Sequence, residues 1–363
     1  MGDAGPTPLG PSQPVSLGPA APVLLGPNQP PRFYRGGPKI AAFRGVPLPP
    51  GADHLPEDWV GSSTAVFGTQ ADGLTRLPGG RFLRDVIGDD PAAYLGPGHL
   101  RQHGASPALL VKLLDAGERL PVHCHPSDAF AHTHLASAYG KTEAWIIIDA
   151  APDSVVHIGF TEDVPEQTLA GWVDAQSPAM LAALNRVPVQ TGDAILIPAG
   201  LPHAIGAGVF IVELQQPTDL SVLLEWAQFP IDGPAEGHLG LGYDLALNCV
   251  DRSAWDTARL AALHGPRAQD APVTSVFPAA ADPFFVAQRI RPDGGTAELG
   301  PAYAILIVLS GEGVLRTEHG GEQNLSRGMT VLLPFAAGHC GVTGRLELIR
   351  CLMPDGGHRT AVG

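Results

Sequence analysis

The segment GERLPVHCHPSDAF, residues 117–130, sets His123 and His125 one residue apart. In a strand, residues i and i+2 share a face, so the two imidazoles can be presented together while Cys124 points the other way. Two neutral imidazoles on one rigid element can bind a transition metal, although the same spacing suits two polar residues on an ordinary strand. The surroundings favour the metal. Gly117 is followed by five residues and then His123-Cys124-His125; further on, Gly192 is followed by five residues, Pro198-Ala199-Gly200, two residues and His203. A fourth ligand is offered by Glu143 in GKTEAWIIID, which opens an apolar run where a carboxylate is costly without a positive partner. The alternative is a strand-end glutamate facing solvent. Three imidazoles and one carboxylate suit one divalent ion of zinc, iron, manganese, cobalt or nickel better than magnesium or calcium. Zinc is the first choice.

Such a site needs strands to hold it. Between Ser106 and Phe229 short aliphatic and β-branched runs recur: ALLVKLLDA, EAWIIIDA, VVHIGF, AILIPAG and VFIVELQQ. Strands at this spacing with turn signals predict a sandwich or barrel. DAFAHTHLASAYG and PEQTLAGWVDAQSPAMLAALNRV carry apolar residues at helical spacing and read as helical insertions. RFLRDVI and DPAAYL, upstream, read as short helices in a lead-in layer, and the region around HLGLGYDLALNCVDRSAWDTARLAAL as helical near its end. Strands resume in FFVAQRIRP, YAILIVLSGEGVLRT, GMTVLLPFAAGHCGV and RLELIRCLMP. Residues 191–206, TGDAILIPAGLPHAIG, and 327–342, RGMTVLLPFAAGHCGV, both run from glycine through a strand into proline and histidine, which hints at a diverged internal repeat. The expected fold is mainly β: two double-stranded jelly rolls with helical insertions. Residues 1–30, rich in Pro and Gly without periodicity, are expected to form a flexible arm. Residues 31–230 would hold the metal-binding domain, and 231–363 a connecting helical segment and a degenerate second β-domain.

Composition narrows the function. The chain has 363 residues and a net charge of −14, from 36 acidic and 22 basic residues. With no basic run, attraction to nucleic acid or an anionic membrane is not expected, and the partner should be a small molecule. Cys124, Cys249, Cys340 and Cys351 are scattered without a C-x-x-C pair, so neither a disulfide framework nor a thiolate zinc site is expected, and a reducing cytoplasm is the expected setting. No apolar run approaches the roughly 18 residues of a membrane-spanning helix.

These motifs are the two signatures of a cupin metal site, and together with their neighbours they resemble the type I mannose-6-phosphate isomerases of the cupin superfamily. SPALLVKLLDAGERLPVHCHPSD looks like that family's strand pair leading to the metal motif, GKTEAWIIID is similar to its Gly-Lys-Thr-Glu stretch, and VPVQTGDAILIPAGLPHAIGAGVFIVELQQPTD continues the match. The resemblance is clearest from about 106 to 219 and fainter at PEDW and GHLGLGYDLAL. It implies His123, His125, Glu143 and His203 as ligands, with His123 where the family usually has Gln. Lys112 and Lys141, two of only three lysines in the chain, fall on the family's active-site lysines. Glu213 and Gln215 match its polar pair on the strand after the last histidine. One departure stands out: TDLSVLLEWAQF puts Leu223 at or near an arginine implicated in catalysis or phosphate contact, and leucine cannot replace a guanidinium fork.

The implied reaction is an aldose–ketose isomerisation, mannose 6-phosphate to fructose 6-phosphate, through an enediol. Glu213 or Lys141 would relay protons, and Lys112 and Gln215 would contact the sugar. Three alternatives stay open: an isomerase of a non-phosphorylated sugar or sugar derivative, a cupin dioxygenase, and a sugar-binding regulator without catalysis. Elsewhere, His339 and His319 of the second unit cannot make a site together with nothing like H-x-H nearby. His132 and His134 lie about 200° apart around a helix and cannot face one ion. His238 could approach the cavity.

Overall fold

In the computed structural model the described residues are 18–266 and 270–354. The strands, in chain order, are β1 (Val23–Leu25), β2 (Glu57–Val60), β3 (Leu110–Asp115), β4 (His123–Cys124), β5 (Glu143–Ala150), β6 (Val155–Phe160), β7 (Leu184–Pro188), β8 (Ala194–Ile197), β9 (His203–Ile205), β10 (Val209–Gln215) and β11 (Val222–Leu223). Then follow β12 (Val273–Ser275), β13 (Val286–Ile290), β14 (Thr296–Leu299), β15 (Ala304–Thr317), β16 (Gly321–Ser326), β17 (Thr330–Leu333) and β18 (Cys340–Leu352). Two five-stranded sheets, ordered β2-β3-β10-β5-β8 and β11-β4-β9-β6-β7, form the first unit. The second is an eight-stranded sheet with the path β1-β17-β15-β18-β13-β12, with β16 and β14 added to the outer halves of β15 and β18. A register shift between Val308 and Ser310 interrupts the long β15–β18 ladder. Beyond it the sheet folds over, so that Leu306 and Val308 share a core with Leu315, Leu325 and Val342. The mainly β architecture with helical insertions is as expected.

Side-chain alternation explains the layers, because a strand buried on both faces must serve two cores. On β10, Ile211 points into the first unit's interior with Ile147, Ile195 and Trp145, whereas Val212 and Leu214 point to the opposite face. That outer face packs with Ile305, Ile307, Leu332 and Ile349 of the second unit in one shared core. The outer face of the other five-stranded sheet is covered by Leu169 and Val173 of the helix Glu166–Asp174 and by Met180 of Ala179–Ala182. Each segment read as helical contains a helix, at Leu83–Asp89, Pro91–Leu95, Asp128–His134, Glu166–Asp174 and Thr257–Ala262, although the end of the 165–187 segment is β7.

Two expectations need correcting. The arm expected over residues 1–30 is ordered from Gly18 on: Val23 and Leu25 are buried where β1 pairs with β17, and Asn28 donates to the Trp59 and Gly73 carbonyls. Proline and glycine spacing cannot reveal a three-residue strand whose partner lies about 300 residues away, as Val23 and Leu332 show. Residues 1–17 of that expectation lie outside the described residues. The lead-in layer expected upstream of Ser106 is not made of short helices alone: the PEDW stretch within it forms β2, an edge strand of the sheet that carries the site. Among the described residues no helix is long and apolar enough to cross a membrane, and all four cysteines are free.

Candidate metal centre and active site

Each ligand candidate is placed by pairing between strands. His123 on β4 lies directly opposite His203 on β9 and opposite Leu223 on β11, so all three point the same way from one sheet. From the facing sheet, Glu143 opens β5 opposite Gln215 of β10, and Glu213 lies opposite both Lys112 of β3 and Trp145 of β5. Since residues two apart share a face, Glu143, Trp145, Glu213 and Lys112 all look across at the histidines. The connection before β5 is pinned by Gly140: a Cβ there would stand 2.3 Å from the Pro126 carbonyl oxygen. This close approach sets the Gly-Lys-Thr-Glu turn directly on the His125 segment, which is why Lys141 enters the site.

The three histidines expose one nitrogen each. Nδ1 of His123 lies 2.8 Å from the Pro121 carbonyl, Nδ1 of His125 2.9 Å from that of Leu220, and Nδ1 of His203 2.8 Å from that of Leu201. A backbone carbonyl can only accept, so each Nδ1 carries the proton and each Nε2 offers its lone pair. One ligand atom from each of these histidines falls within 4.8 Å of the others. Glu143 completes the cluster, with Oε2 3.0 Å from His125 Nε2 and Oε1 3.3 Å from His203 Nε2. With the Nε2 atoms unprotonated these are contacts between acceptors, and His203 Nε2 is buried without a hydrogen-bond partner. Acceptors converging in a buried space require a cation. The donor set of three imidazoles and a carboxylate fits a divalent transition metal. A positive charge already faces it: Lys141 Nζ is 3.0 Å from Glu143 Oε2 and 3.1 Å from His125 Nε2. Burial drives the His123 basicity well below that of a free imidazole and that of His125 down to about 3, so both stay neutral at physiological pH. The Glu143 carboxyl, although burial alone would raise it, is held well below its ordinary range by Lys141 and His125.

Beside the cluster lies a second set of charges. Lys112 Nζ, completely buried, is 3.3 Å from Glu57 Oε2 and 3.6 Å from Glu213 Oε1, and it lies 4.8 Å from the Trp59 ring centre. Burial would strip its proton, but the two carboxylates outweigh burial and hold the ammonium charged. Glu57 is satisfied on all sides: it accepts from Tyr34 Oη and, at 2.6 Å, from Trp59 Nε1, while Arg32 Nε lies 3.4 Å away. Arg32 in turn grips Asp219 with both terminal nitrogens, at 3.1 and 3.4 Å. Glu213 is different. Its Oε1 is buried without a donor in hydrogen-bonding geometry, and burial, reinforced by the charges of Glu143 and Glu57, pushes its carboxyl up to about 7 despite Lys112.

The structure therefore brings His123, Glu143, Lys141, Lys112 and Glu213 around one cavity, whose wall also includes Leu223, Ser221 and Asp219, with His125 and His203 behind it against Glu143. Gln215 is adjacent in the sheet, but its amide nitrogen is spent on the Gln216 and Thr218 carbonyls. His238 is engaged with Pro234 and the Gly242 amide and does not line this cavity. His132, His134, His319 and His339 are exposed. The sequence reading missed Arg32, Tyr34, Trp59 and Asp219 as parts of the site. The PEDW stretch carried a faint signal and Asp219 closed the matching QQPTD stretch, but for Arg32 there was no signal, because its partner Asp219 lies 187 residues away.

The arrangement is a group of three histidines and a carboxylate that could hold a metal ion, inside a double-sheet β-unit. The chain is 38% identical over 116 residues to the mannose-6-phosphate isomerase ManA of Bacillus subtilis (strain 168), a match covering 32% of this chain and 36% of that relative. To the mannose-6-phosphate isomerase of Streptococcus mutans serotype c it is 29% identical over 247 residues, 66% of this chain and 72% of the relative. No model of a known protein family matches the chain. In three dimensions it superposes on the crystal structure of the mannose 6-phosphate isomerase from Bacillus subtilis with a TM-score of 0.73 at 21% identity, covering 91% of this chain and 99% of that one. A mannose 6-phosphate isomerase bound with zinc and yttrium superposes with a TM-score of 0.70 at 17% identity, covering 93% and 100%. The fold is that of the mannose-6-phosphate isomerases, and the resemblance read from the motifs is borne out.

Proposed function

We propose that this protein is a metal-dependent aldose–ketose isomerase of the mannose-6-phosphate isomerase type, acting on an open-chain sugar or sugar phosphate. The observation that carries this reading is the convergence of three lone-pair-bearing Nε2 atoms and Glu143 beside a carboxyl poised near neutrality, Glu213. His123, His125, His203 and Glu143 hold the ion, zinc being the first choice; when bound, a divalent ion polarises the sugar's carbonyl and hydroxyl oxygens and so acidifies the C–H between them.

The chain's own residues supply the rest. Glu213 removes the proton from C2 of the open-chain aldose and returns it to C1 of the enediol, while Lys141 passes the hydroxyl proton from O2 to O1 so that the ketose forms with no net gain or loss of protons; a carboxyl near 7 is well matched to this role at neutral pH. Lys112 is not the base, because its two carboxylates keep it protonated; it holds Glu213 in place and supplies positive charge beside it. Lys141 donates hydrogen bonds to the sugar oxygens next to Glu143. Gln215 is a backbone-bracing residue and contributes at most its free Oε1. The four free thiols support a reducing, cytoplasmic setting.

The test is metal analysis of the purified protein beside isomerisation of mannose 6-phosphate and of mannose. One divalent ion per chain with turnover of mannose 6-phosphate is the expected result. Turnover of mannose alone would assign the phosphate-recognition deficit to Leu223. Oxygen uptake with bound iron or copper, and no isomerisation, would overturn the isomerase reading.

A further inference from the structure

A second cavity, of about 480 Å³, lies on the seam between the two β-units and shares no residue with the metal site. That volume is in the range of small-ligand sites, roughly 300–1,000 Å³. Its apolar lining comes from both units: Phe43 and Ile146 from the first, Leu309 from the second. Its charges are unbalanced. Lys39 is matched by Asp149 at 2.6 Å. Arg289 and Arg291 share a single carboxylate, Glu347, at 3.3 and 2.8 Å, and Arg289 Nε is buried without a hydrogen-bond acceptor in line. Arg327 lies over the Phe43 ring, 5.3 Å from its centre, with no carboxylate within ion-pairing distance among the described residues. Four cations against two carboxylates leave the cleft at +2 (4 − 2), on a chain whose net charge is −14.

A seam that served only to join the units would be expected to match its charges, since an unpaired guanidinium on a partly apolar wall gains nothing for packing. We propose that this cleft binds a small organic monophosphate, with the dianionic head between Arg289, Arg291 and Arg327 and an apolar portion over Phe43 and Leu309. Two excess charges complement a phosphate dianion, and guanidinium forks match its oxygens. The cleft also touches the site through one element: β5 carries Glu143 at its start and Ile146 to Asp149 along the cleft wall.

Phenyl phosphate is the probe, titrated calorimetrically into the metal-loaded full-length protein. We expect one site per chain, weakening at least about tenfold, or roughly 1.4 kcal/mol, in R291Q/R327Q, with phenol failing to bind. Arg327 is exposed, so Arg327→Glu alone serves as a variant that leaves the fold intact and should weaken binding in the same direction. Isomerase activity of both variants without phenyl phosphate should match the wild type. Binding that is unchanged in both variants, binding abolished by His203→Ala, or no binding at ~10 mM ligand, far weaker than a built site gives, would each overturn the proposal.

Discussion

The two β-units share a strand phrase and differ in what their interiors contain. In the first, Pro198 is followed five residues later by His203, which is fully buried and faces His123, His125 and Glu143. In the second, Pro334 is followed five residues later by His339, which is exposed, while its neighbour Cys340 packs in the unit's core. The equivalent histidine thus sits on the bend just before β18, whereas His203 opens β9 and points from the sheet into the interior. Ending the turn one residue later, so that Cys340 is the first residue of the strand, is enough to leave the histidine at the surface. The two interiors follow suit: Lys112, Glu143, Glu213 and His203 are buried in the first, whereas the second closes around Leu306, Val331, Leu348 and other apolar side chains. Burying charge inside a jelly roll is tolerated where carboxylates, ammonium groups and an ion compensate one another, and among the described residues the second unit has no such set.

The largest effect that can break this contrast comes from the ligands. His203→Ala or Glu143→Ala should remove the metal and lower kcat/KM by well over a hundredfold, since even residues that merely orient ligands cost about 10–100-fold; metal content and activity are measured together. A variant that keeps full activity without metal would sink the assigned site. Glu213→Gln comes next, lowering kcat by about 10²–10⁴-fold while leaving metal content unchanged, because it removes a general base and not a ligand. The same residue sets a pH dependence. With its carboxyl raised to about 7, Glu213 must lose its proton to act as base, so kcat/KM should fall as pH drops below about 7. In the Gln variant that acid limb should be absent, and its persistence would assign the limb to another group.

The second unit should respond in stability alone. Leu348→Ala, at a fully buried position, is expected to cost about 2–5 kcal/mol in denaturant unfolding without changing metal stoichiometry in the folded fraction. The smallest effect is that of His339→Ala. As an exposed side chain outside any cluster, it should change stability by no more than about 0.5 kcal/mol and leave activity at the wild-type level. A metal loss on that substitution would make the second unit a participant in binding.

The sequence alone carried the four ligand candidates, the strand-rich pattern and the resemblance, because these depend on spacing within short segments: i and i+2 on one strand, glycine at a turn, apolar runs between them. Lys112 and Glu213 were legible as residue types, yet their roles were not. Only the pairing of β3 with β10 put them side by side, and only burial among Glu57, Glu143 and each other decided that the lysine keeps its proton while the glutamate sits near neutrality. Arg32 meeting Asp219, β1 adding to the far sheet, and the basic cleft between the units were equally invisible, since each joins segments distant in the chain. Local periodicity reports which face a residue takes on its own strand. What stands opposite that face, and hence the charge and solvation each group experiences, is set by the tertiary fold.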